Sequence, residues 1–180
     1  MLEAGINEIF AVDIGHGQLH ESVSGDKRVH VFEKTNARYI DTDIIGKKVD
    51  VVTADLSFIS QTLVLEAITR ILKTGGIYIG LIKPQFEAGR ANIGKHGVVK
   101  DKRVHADVIE KVILHANSIG LVCKNIAPSP ILGGDGNREF LACFINEGTP
   151  GVIFDRHEIE RVVNEGGEYD KQRCHNSERI

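Results

Sequence analysis

The sequence has few cysteines and no long apolar run, and each of these absences excludes a class of protein. Its three cysteines are Cys123, Cys143 and Cys174, and no two of them have the C-x-x-C spacing of a zinc or redox motif. Disulfide frameworks belong to oxidising compartments, so we expect reduced thiols and a cytoplasmic protein. No stretch is long and apolar enough to span a membrane, and Met1 does not begin a signal peptide, so we expect no membrane partner.

The sequence also lacks an excess of positive charge and clusters of metal ligands. The formal net charge is −3, which gives no overall basic field to attract nucleic acid. RNA binding would therefore need a local basic patch or a separate module. His16 and His20 are four residues apart, but further ligands and an H-E-x-x-H pattern are missing, so we predict no metal site.

The composition that is present fits one folded domain. A chain of 180 residues, 42% hydrophobic and 26% charged, is long enough to bury most of an α/β core. We predict that residues 1–147 form this domain and that residues 148–180 are a C-terminal extension. The extension is predicted to be helical over residues 152–163, whereas the charged residues 166–180 are predicted to be disordered.

Several short apolar runs have the pattern of buried strands, and each is followed by polar side chains. These runs are predicted at residues 9–13, 29–33, 49–55 and 76–83, and the polar side chains are Asp13, Asn36, Asp55 and Lys83. Ligands of open parallel sheets bind at the carboxyl ends of the strands. Taken singly, Asp13 is equally well explained as a turn or helix-capping residue, Asn36 as a turn residue and Lys83 as a lysine that reaches solvent.

A helix is predicted between the last two of these strands. Ser57 can cap it, and apolar residues including Phe58, Leu63 and Ile68 recur at helical spacing. A strand, helix and strand in this order make the two strands parallel and usually neighbours. We therefore expect Asp55 and Lys83 to share one crevice.

Two further strands follow without a helix between them. Residues 121–127 and 138–145 are therefore predicted to form an antiparallel hairpin at the end of the sheet. The second strand runs backwards, so Glu139 at its start is expected at the edge where Asp55 and Lys83 lie. Convergence of three charged groups at one edge is typical of a functional site.

A long glycine-rich loop follows Lys83. It spans residues 84–97, and Arg90, Lys95, His96 and Lys100 lie in it or just after it. Loops of this length are usually functional or disordered. Basic side chains on a mobile lid above a crevice suit an RNA phosphate backbone, although an ordinary solvated loop is an alternative.

Four short blocks carry a resemblance to a known family. They are AVDIGHGQL at residues 11–19, DLSFIS at 55–60, KPQFEAGR at 83–90 and GNREF at 136–140. In this order and at these separations, over about residues 1–146, they resemble the hemolysin A/TlyA family of rRNA methyltransferases, whose catalytic domain is FtsJ-like. The resemblance implies an α/β fold: a Rossmann-like S-adenosylmethionine-dependent methyltransferase sandwich, with a mostly parallel sheet and a C-terminal antiparallel hairpin.

The resemblance also implies an activity and a set of site residues. The family transfers methyl groups from S-adenosylmethionine to ribose 2′-hydroxyls of ribosomal RNA through a Lys-Asp-Lys-Glu set, so rRNA or a ribosomal subunit is the implied partner. Chemically, an amine shielded from water can take the hydroxyl proton. The implied residues are catalytic Asp55, Lys83 and Glu139 and cofactor-binding Asp13, Asn36 and Asp55. The basic loop supplies the predicted RNA-binding residues Arg90, Lys95 and Lys100.

The sequence differs from the family at its N-terminal end. Family members carry an S4-type RNA-binding domain, the first catalytic lysine and a first strand with a glycine-rich cofactor loop, and this sequence starts after all of these. We expect a first strand to be missing between the strands at residues 9–13 and 49–55, where a second chain could complete the sheet. The chain alone is then predicted to bind S-adenosylmethionine poorly.

Two other functions stay open on sequence grounds. One is a non-catalytic RNA- or protein-binding remnant of the same fold. The other is a nucleotide-dependent oxidoreductase, which Asp13 allows but the hairpin and Glu139 disfavour.

Overall fold

The computed structural model describes residues 1–165, and the predicted disordered tail at 166–180 lies outside the described residues. Residues 1–165 contain six strands: β1 (Ile9–Val12), β2 (Val29–Phe32), β3 (Val49–Ala54), β4 (Leu72–Ile82), β5 (Leu121–Pro128) and β6 (Phe140–Asn146). The α-helices are α1 (Glu21–Ser24), α2 (Thr42–Ile45), α3 (Leu65–Ile71), α4 (Pro84–Glu87), α5 (Lys102–Ser118) and α6 (residues 156–165). Short 3-10 helices occur at Leu2–Ala4, Ala37–Tyr39, Gln61–Leu63 and Arg90–Asn92.

The described strands form two separate sheets. β1 and β2 pair in parallel as a two-stranded sheet, and the larger sheet has the order β3-β4-β6-β5. β3 and β4 are parallel, whereas β6 is antiparallel to both of its neighbours. The predicted hairpin is thus confirmed, with its second strand next to β4.

The main core lies between the larger sheet and helices α3, α5 and α6. Alternate residues of β4, including Tyr78 and Ile82, are fully buried, and α5 packs Ile109 and Val112 into the same apolar cluster. Asp101 caps α5 by accepting a hydrogen bond from the backbone N–H of Arg103.

The segment after residue 147 contributes to this core through α6. Ile159, Val162 and Val163 are buried in the main cluster. Arg156 holds the helix against α5 with ion pairs to Asp107 at 2.6 Å and Glu110 at 2.8 Å. The helix predicted at residues 152–163 exists, but it begins at residue 156.

The prediction of a helix that starts at Ser57 is wrong for residues 57–60. The helical turns begin with the 3-10 helix at Gln61–Leu63, and Ser60 caps it by accepting a hydrogen bond from the Thr62 N–H. Phe58 has a φ of 62°, which breaks a helix, and Phe58 and Leu63 are exposed rather than buried. Ile68 is buried as predicted.

The strand predicted at residues 76–83 is also longer than expected. β4 already begins at Leu72, which pairs with Val49 of β3, and the register shifts before Val51 pairs with Ile77. Gly75 has a φ of 77°, a conformation that glycine adopts without strain. Gly75 and Gly76 therefore mark an irregularity within the strand.

No helix within residues 1–165 combines the length and the apolar character that a membrane crossing requires. The same residues contain no group of three or more His, Cys, Asp or Glu side chains arranged to hold a metal ion.

Candidate active site at the carboxyl edge of the sheet

Lys83 and Asp55 meet at the carboxyl ends of β4 and β3. The Nζ atom of Lys83 lies 2.6 Å from Asp55 Oδ1, and it donates a hydrogen bond of 3.2 Å to Ser57 Oγ. The Lys83 side chain is only 12% exposed, whereas that of Asp55 is 72% exposed. The parallel strands thus bring an amine that is shielded from water next to a carboxylate that faces solvent.

Glu139 lies at the same edge but has a different partner. The register pairs Ile82 with Phe140, so Lys83 and Glu139 stand one residue beyond this pair. Glu139 is 7% exposed, and its Oε1 accepts a hydrogen bond of 2.8 Å from Gln85 Nε2. Within residues 1–165, Glu139 therefore contacts the segment after β4 through Gln85 and makes no ion pair with Lys83.

A buried carboxylate that sequence analysis did not single out joins the two loops of the site. Glu87 at the end of α4 has a side chain that is 1% exposed. It accepts hydrogen bonds from Ser60 Oγ at 2.6 Å and from the Gln61 N–H at 2.5 Å. Gln61 Oε1 in turn accepts a hydrogen bond from the hydroxyl of Tyr78 in β4. Glu87 thereby fixes the loop after Asp55 against the segment after Lys83.

One aromatic ring lies near the amine, and a second ring packs on the first. Phe58 is 91% exposed, and its ring centroid lies 5.0 Å from that of Phe86. Lys83 Nζ is 6.0 Å from the Phe86 centroid. A bulky residue at positive φ costs conformational energy and is most common at functional sites. The sequence pattern placed Phe58 on the buried face of a predicted helix. The apolar residues that follow have helical spacing, so nothing in the sequence indicated that Phe58 is exposed.

The predicted cofactor residues separate into two groups. Asp13 and Asp55 line one cavity of about 790 Å³, together with Ala37 and Leu56. Asp13 Oδ1 accepts a hydrogen bond of 2.6 Å from the Gly15 N–H, which leaves its other oxygen for a ligand hydroxyl. Asn36 is not among the residues that line this cavity, and it caps the 3-10 helix at Ala37–Tyr39 through the Arg38 N–H.

These residues fit S-adenosylmethionine in part. A carboxylate accepts hydrogen bonds from ribose hydroxyls, and apolar side chains such as Leu56 suit an adenine ring. Asp13 and Leu56 supply these two features in one cavity. The side-chain oxygen of Asn36 is engaged in its cap, so this residue has less to offer the cofactor.

The predicted RNA-binding residues lie on an exposed loop that is anchored at its end. Lys95 and Lys100 line a groove of about 760 Å³ with His96, Asp101 and Asp135, whereas Arg90 lies outside the groove. All three basic residues are exposed. Val99 donates its N–H to Asn137 Oδ1 at 3.0 Å, and Asn137 Nδ2 donates to the Gly97 carbonyl at 3.0 Å. The loop is therefore tied to the hairpin that carries Glu139.

Burial makes the thiol of Cys123 unreactive. Cys123 is buried in β5, and burial raises the pKa of its thiol to about 12. Since the thiolate is the reactive form of cysteine, this side chain acts as an apolar core residue.

Comparisons with known proteins agree on one family. Residues 1–146 match the FtsJ-like methyltransferase family. The chain is 42% identical over 167 residues to YqxC of Bacillus subtilis, named as a candidate rRNA methyltransferase, and the match covers 91% of this chain and 59% of YqxC. It is 39% identical over 140 residues to the 16S/23S rRNA (cytidine-2′-O)-methyltransferase TlyA of Mycobacterium tuberculosis, covering 78% of this chain and 52% of that protein.

A solved structure has the same fold. It is that of a candidate hemolysin from Streptococcus thermophilus, which is 37% identical in sequence and superposes with a TM-score of 0.91. The superposition covers 97% of this chain and 63% of that chain. This chain thus spans between about half and two thirds of the length of the relatives that it matches.

Proposed function

Because the chain belongs to the FtsJ-like methyltransferase family, we propose that its site takes part in S-adenosylmethionine-dependent methylation of a ribose 2′-hydroxyl in ribosomal RNA. The family and the α/β methyltransferase fold predicted from the sequence blocks are confirmed. The observation that carries the proposal is the shielded Lys83 amine, held by Asp55 and Ser57 and close to the ring of Phe86. The name of the Mycobacterium tuberculosis relative specifies 2′-O-methylation of rRNA.

Lys83 is the proposed general base. In its neutral form, its amine takes the proton of the ribose 2′-hydroxyl. The ribose oxygen could then accept a methyl group, whose bond to the cofactor sulfur would break as the new bond forms. Asp55 orients the amine and balances the charge that the proton brings to Nζ. S-Adenosylmethionine, when bound, supplies a methyl group made electrophilic by its sulfonium. Asp13, Asp55 and Leu56 would hold it, while Glu139 fixes the segment after Lys83 through Gln85.

The direct test is to transfer labelled methyl groups from S-adenosylmethionine to ribosomal subunits and to digest the RNA to nucleosides. In the form of the protein that carries out this reaction, we expect the label in a 2′-O-methyl nucleoside and expect at least about 100-fold less label with the Lys83→Arg variant. Label on a nucleobase in place of the ribose would contradict the proposed reaction.

Phe58 is proposed to stack on a base of the RNA next to the reacting ribose. Stacking of a base on an aromatic side chain is worth about 1–3 kcal/mol, so Phe58→Ala is expected to lower kcat/KM for ribosomal subunits by roughly 5- to 150-fold. Steady-state kinetics measure this effect, and thermal denaturation checks that the variant is folded. Leu63→Ala removes a nearby exposed apolar side chain and serves as the matched control. An equal loss of activity in both variants would argue against stacking.

The basic loop is proposed to contact the RNA backbone. Each lost phosphate contact reduces the slope of log K against log salt by about 0.7 for single-stranded nucleic acid. The double variant Arg90→Ala/Lys95→Ala is therefore expected to bind rRNA more weakly and with a slope smaller by about 1.4. Filter binding at several salt concentrations measures the slope. Lys27→Ala, an exposed lysine before β2, is the control, and an unchanged slope in the double variant would contradict the proposal.

A second candidate function is RNA or protein binding without catalysis. The open gap between β1 and β3 favours this function. Asp13 and Asp55, the proposed cofactor residues, lie at the end of the gap, so the gap interrupts the cofactor site. We also infer that a second polypeptide completes the sheet there.

The open gap leads to a prediction for cofactor binding. Since the cofactor cavity opens into the gap, calorimetry on the 180-residue chain alone is expected to show no tight binding of S-adenosylmethionine. A dissociation constant of about 1 µM or below would contradict this prediction. Weak cofactor binding together with strong RNA binding, and no activity after the gap is filled, would favour the second function.

A further inference from the structure

Two buried side chains hold the backbone at the end of the basic loop. They are Asn137, before β6, and His105, in the first turn of α5. The Asn137 amide accepts a hydrogen bond from the Val99 N–H and donates one to the Gly97 carbonyl, both at 3.0 Å. His105 Nε2 lies 2.8 Å from the Val99 carbonyl. Side chains from two other segments thus hold three backbone groups of the loop, and we call Asn137 and His105 the loop latch.

The bond from His105 has a defined direction. A carbonyl oxygen only accepts hydrogen bonds, so Nε2 of His105 carries the proton and donates it. Burial lowers the pKa of His105, which keeps the ring neutral at pH 7 with this one proton. The ring also packs edge-on against Phe140, with 5.7 Å between the ring centroids. His105 therefore connects the loop to the first residue of β6.

The latch carries both lysines of the groove beside it. Lys95 lies in a tight turn that two backbone hydrogen bonds of 3.0 Å close within residues 94–98. Lys100 directly follows Val99 and precedes the residue that caps α5. Each lysine is thus within two residues of a backbone group that the latch holds. Both lysines are exposed, so they present their charge to solvent from a fixed backbone.

The other side of the latch belongs to the active-site edge. Asn137 stands two residues before Glu139 in the hairpin. Phe140 pairs with Ile82, and Lys83 is the next residue after Ile82. A continuous connection of hydrogen bonds and packed side chains therefore runs from the two loop lysines, through the latch and β6, to the proposed base.

We propose that Asn137 is a positioning residue for methyl transfer and that His105 assists it. The latch fixes Lys95 and Lys100 relative to Lys83, so that RNA phosphates bound by the two loop lysines place a ribose against the amine. A displacement of about 1 Å can cost roughly 100-fold in rate, so this distance matters for the reaction. The inference rests on the proposed function and adds to it the connection between the phosphate contacts and the base.

A buried asparagine that only stabilises the fold is the alternative, and the chain offers a matched example. Asn146 lies at the other end of β6 and is also buried. Its amide donates a hydrogen bond to the Leu72 carbonyl at 3.1 Å and accepts one from the Gly148 N–H at 3.2 Å. Asn146 thus makes the same two kinds of bond as Asn137, but at the opposite end of the strand from the active site.

Amide hydrogen exchange on the 180-residue chain, resolved by NMR, tests whether the latch holds the loop. The N–H groups of Gly94 and Gly97 bond within the turn and make no bond to the latch. We expect Asn137→Ala to speed their exchange at least about tenfold, because the whole turn is released, and Asn146→Ala to leave it unchanged. Unchanged exchange in Asn137→Ala would overturn the proposal.

Single-turnover kinetics with saturating ribosomal subunits, in the form of the protein that carries out the reaction, test the positioning role. Asn137→Ala is expected to lower the rate constant at least about tenfold, and so is the double variant Lys95→Ala/Lys100→Ala. Because Asn137 acts through these lysines, combining all three substitutions is expected to lower the rate constant by no more than about twofold further. Asn146→Ala is expected to leave it within about twofold of the unmodified protein. Full additivity, or an equal loss in Asn146→Ala, would overturn the proposal.

Variants of His105 test the latch without changing Asn137. The side-chain amide of glutamine can donate from nearly the position of Nε2, whereas leucine has no donor. His105→Leu is therefore expected to lower the rate constant at least about fivefold, and His105→Gln to restore most of this loss. Equal rate constants in the two variants would overturn the role of His105.

These measurements separate the inference from the proposed function. An unmodified protein that places no methyl group on ribose would refute the proposed function, while the exchange rates would still show whether the latch holds the loop. Ribose methylation at the same rate in the unmodified protein and in Asn137→Ala would leave the proposed function standing and would refute the positioning role.

Discussion

Replacing Lys83 by arginine is expected to lower the rate constant for ribose methylation by roughly 10²- to 10⁴-fold, in the form of the protein that carries out this reaction. Arginine keeps the positive charge that pairs with Asp55, but it stays protonated in proteins and cannot accept the hydroxyl proton. Because Lys83 acts on the ribose and not on the cofactor, the affinity for S-adenosylmethionine is expected to change little.

Single-turnover kinetics with ribosomal subunits measure the rate constant, and calorimetry measures the cofactor affinity. Lys111→Arg is the matched control, since Lys111 lies near Glu87 on α5, with 3.7 Å between the charged atoms, and has no proposed role in proton transfer. A Lys83→Arg variant with the turnover of the unmodified protein would exclude Lys83 as the base.

Removal of the Glu87 carboxylate is expected to cause the largest loss of stability. In Glu87→Ala, the Ser60 hydroxyl and the Gln61 N–H lose their acceptor. The Ser60 hydroxyl keeps Thr62 Oγ1 as a partner, whereas the Gln61 N–H is left buried without one. A buried donor without a partner costs about 1–3 kcal/mol, so the free energy of unfolding is expected to fall by roughly this amount. This is a large fraction of the roughly 5–15 kcal/mol that stabilises a typical domain.

Urea denaturation measures this loss. Glu87→Gln keeps one acceptor oxygen and is expected to be less destabilised than Glu87→Ala. Glu66→Ala removes an exposed glutamate of α3 and is expected to change the free energy of unfolding by no more than about 0.5 kcal/mol. If Glu87→Ala were as stable as Glu66→Ala, Glu87 would not be the residue that holds the two loops together.

The placement of Lys83 and Asp55 could be predicted because strand direction alone determines it. Both residues end parallel neighbouring strands, and the hairpin that follows α5 places Glu139 at the same edge. The partners of each side chain could not be predicted in this way. Strand direction brings Glu139 to the edge, but side-chain packing pairs it with Gln85, and the same packing determines how Glu87 joins the loops.

The local structure around Phe58 could not be predicted because two signals competed. The apolar residues from Phe58 onward have helical spacing, which favours a helix that starts at Ser57. Ser60 instead caps the helical turns, and the carboxylate of Glu87, distant in sequence, holds the Ser60 hydroxyl. A contact between distant segments thus overrides the local pattern. Pairing of Leu72 with Val49 likewise extends β4 through Gly75 and Gly76, although glycine favours turns.

The division of the strands into two sheets also has a consequence for unfolding. No strand pairing within residues 1–165 connects β1 and β2 to the larger sheet, and the apolar cluster around Ile40 and Ile71 provides the packing between them. Regions with fewer buried contacts open at lower free energy than the core of the same protein. We therefore expect the β1–β2 unit to open as a separate unit while β3, β4, β5 and β6 stay folded.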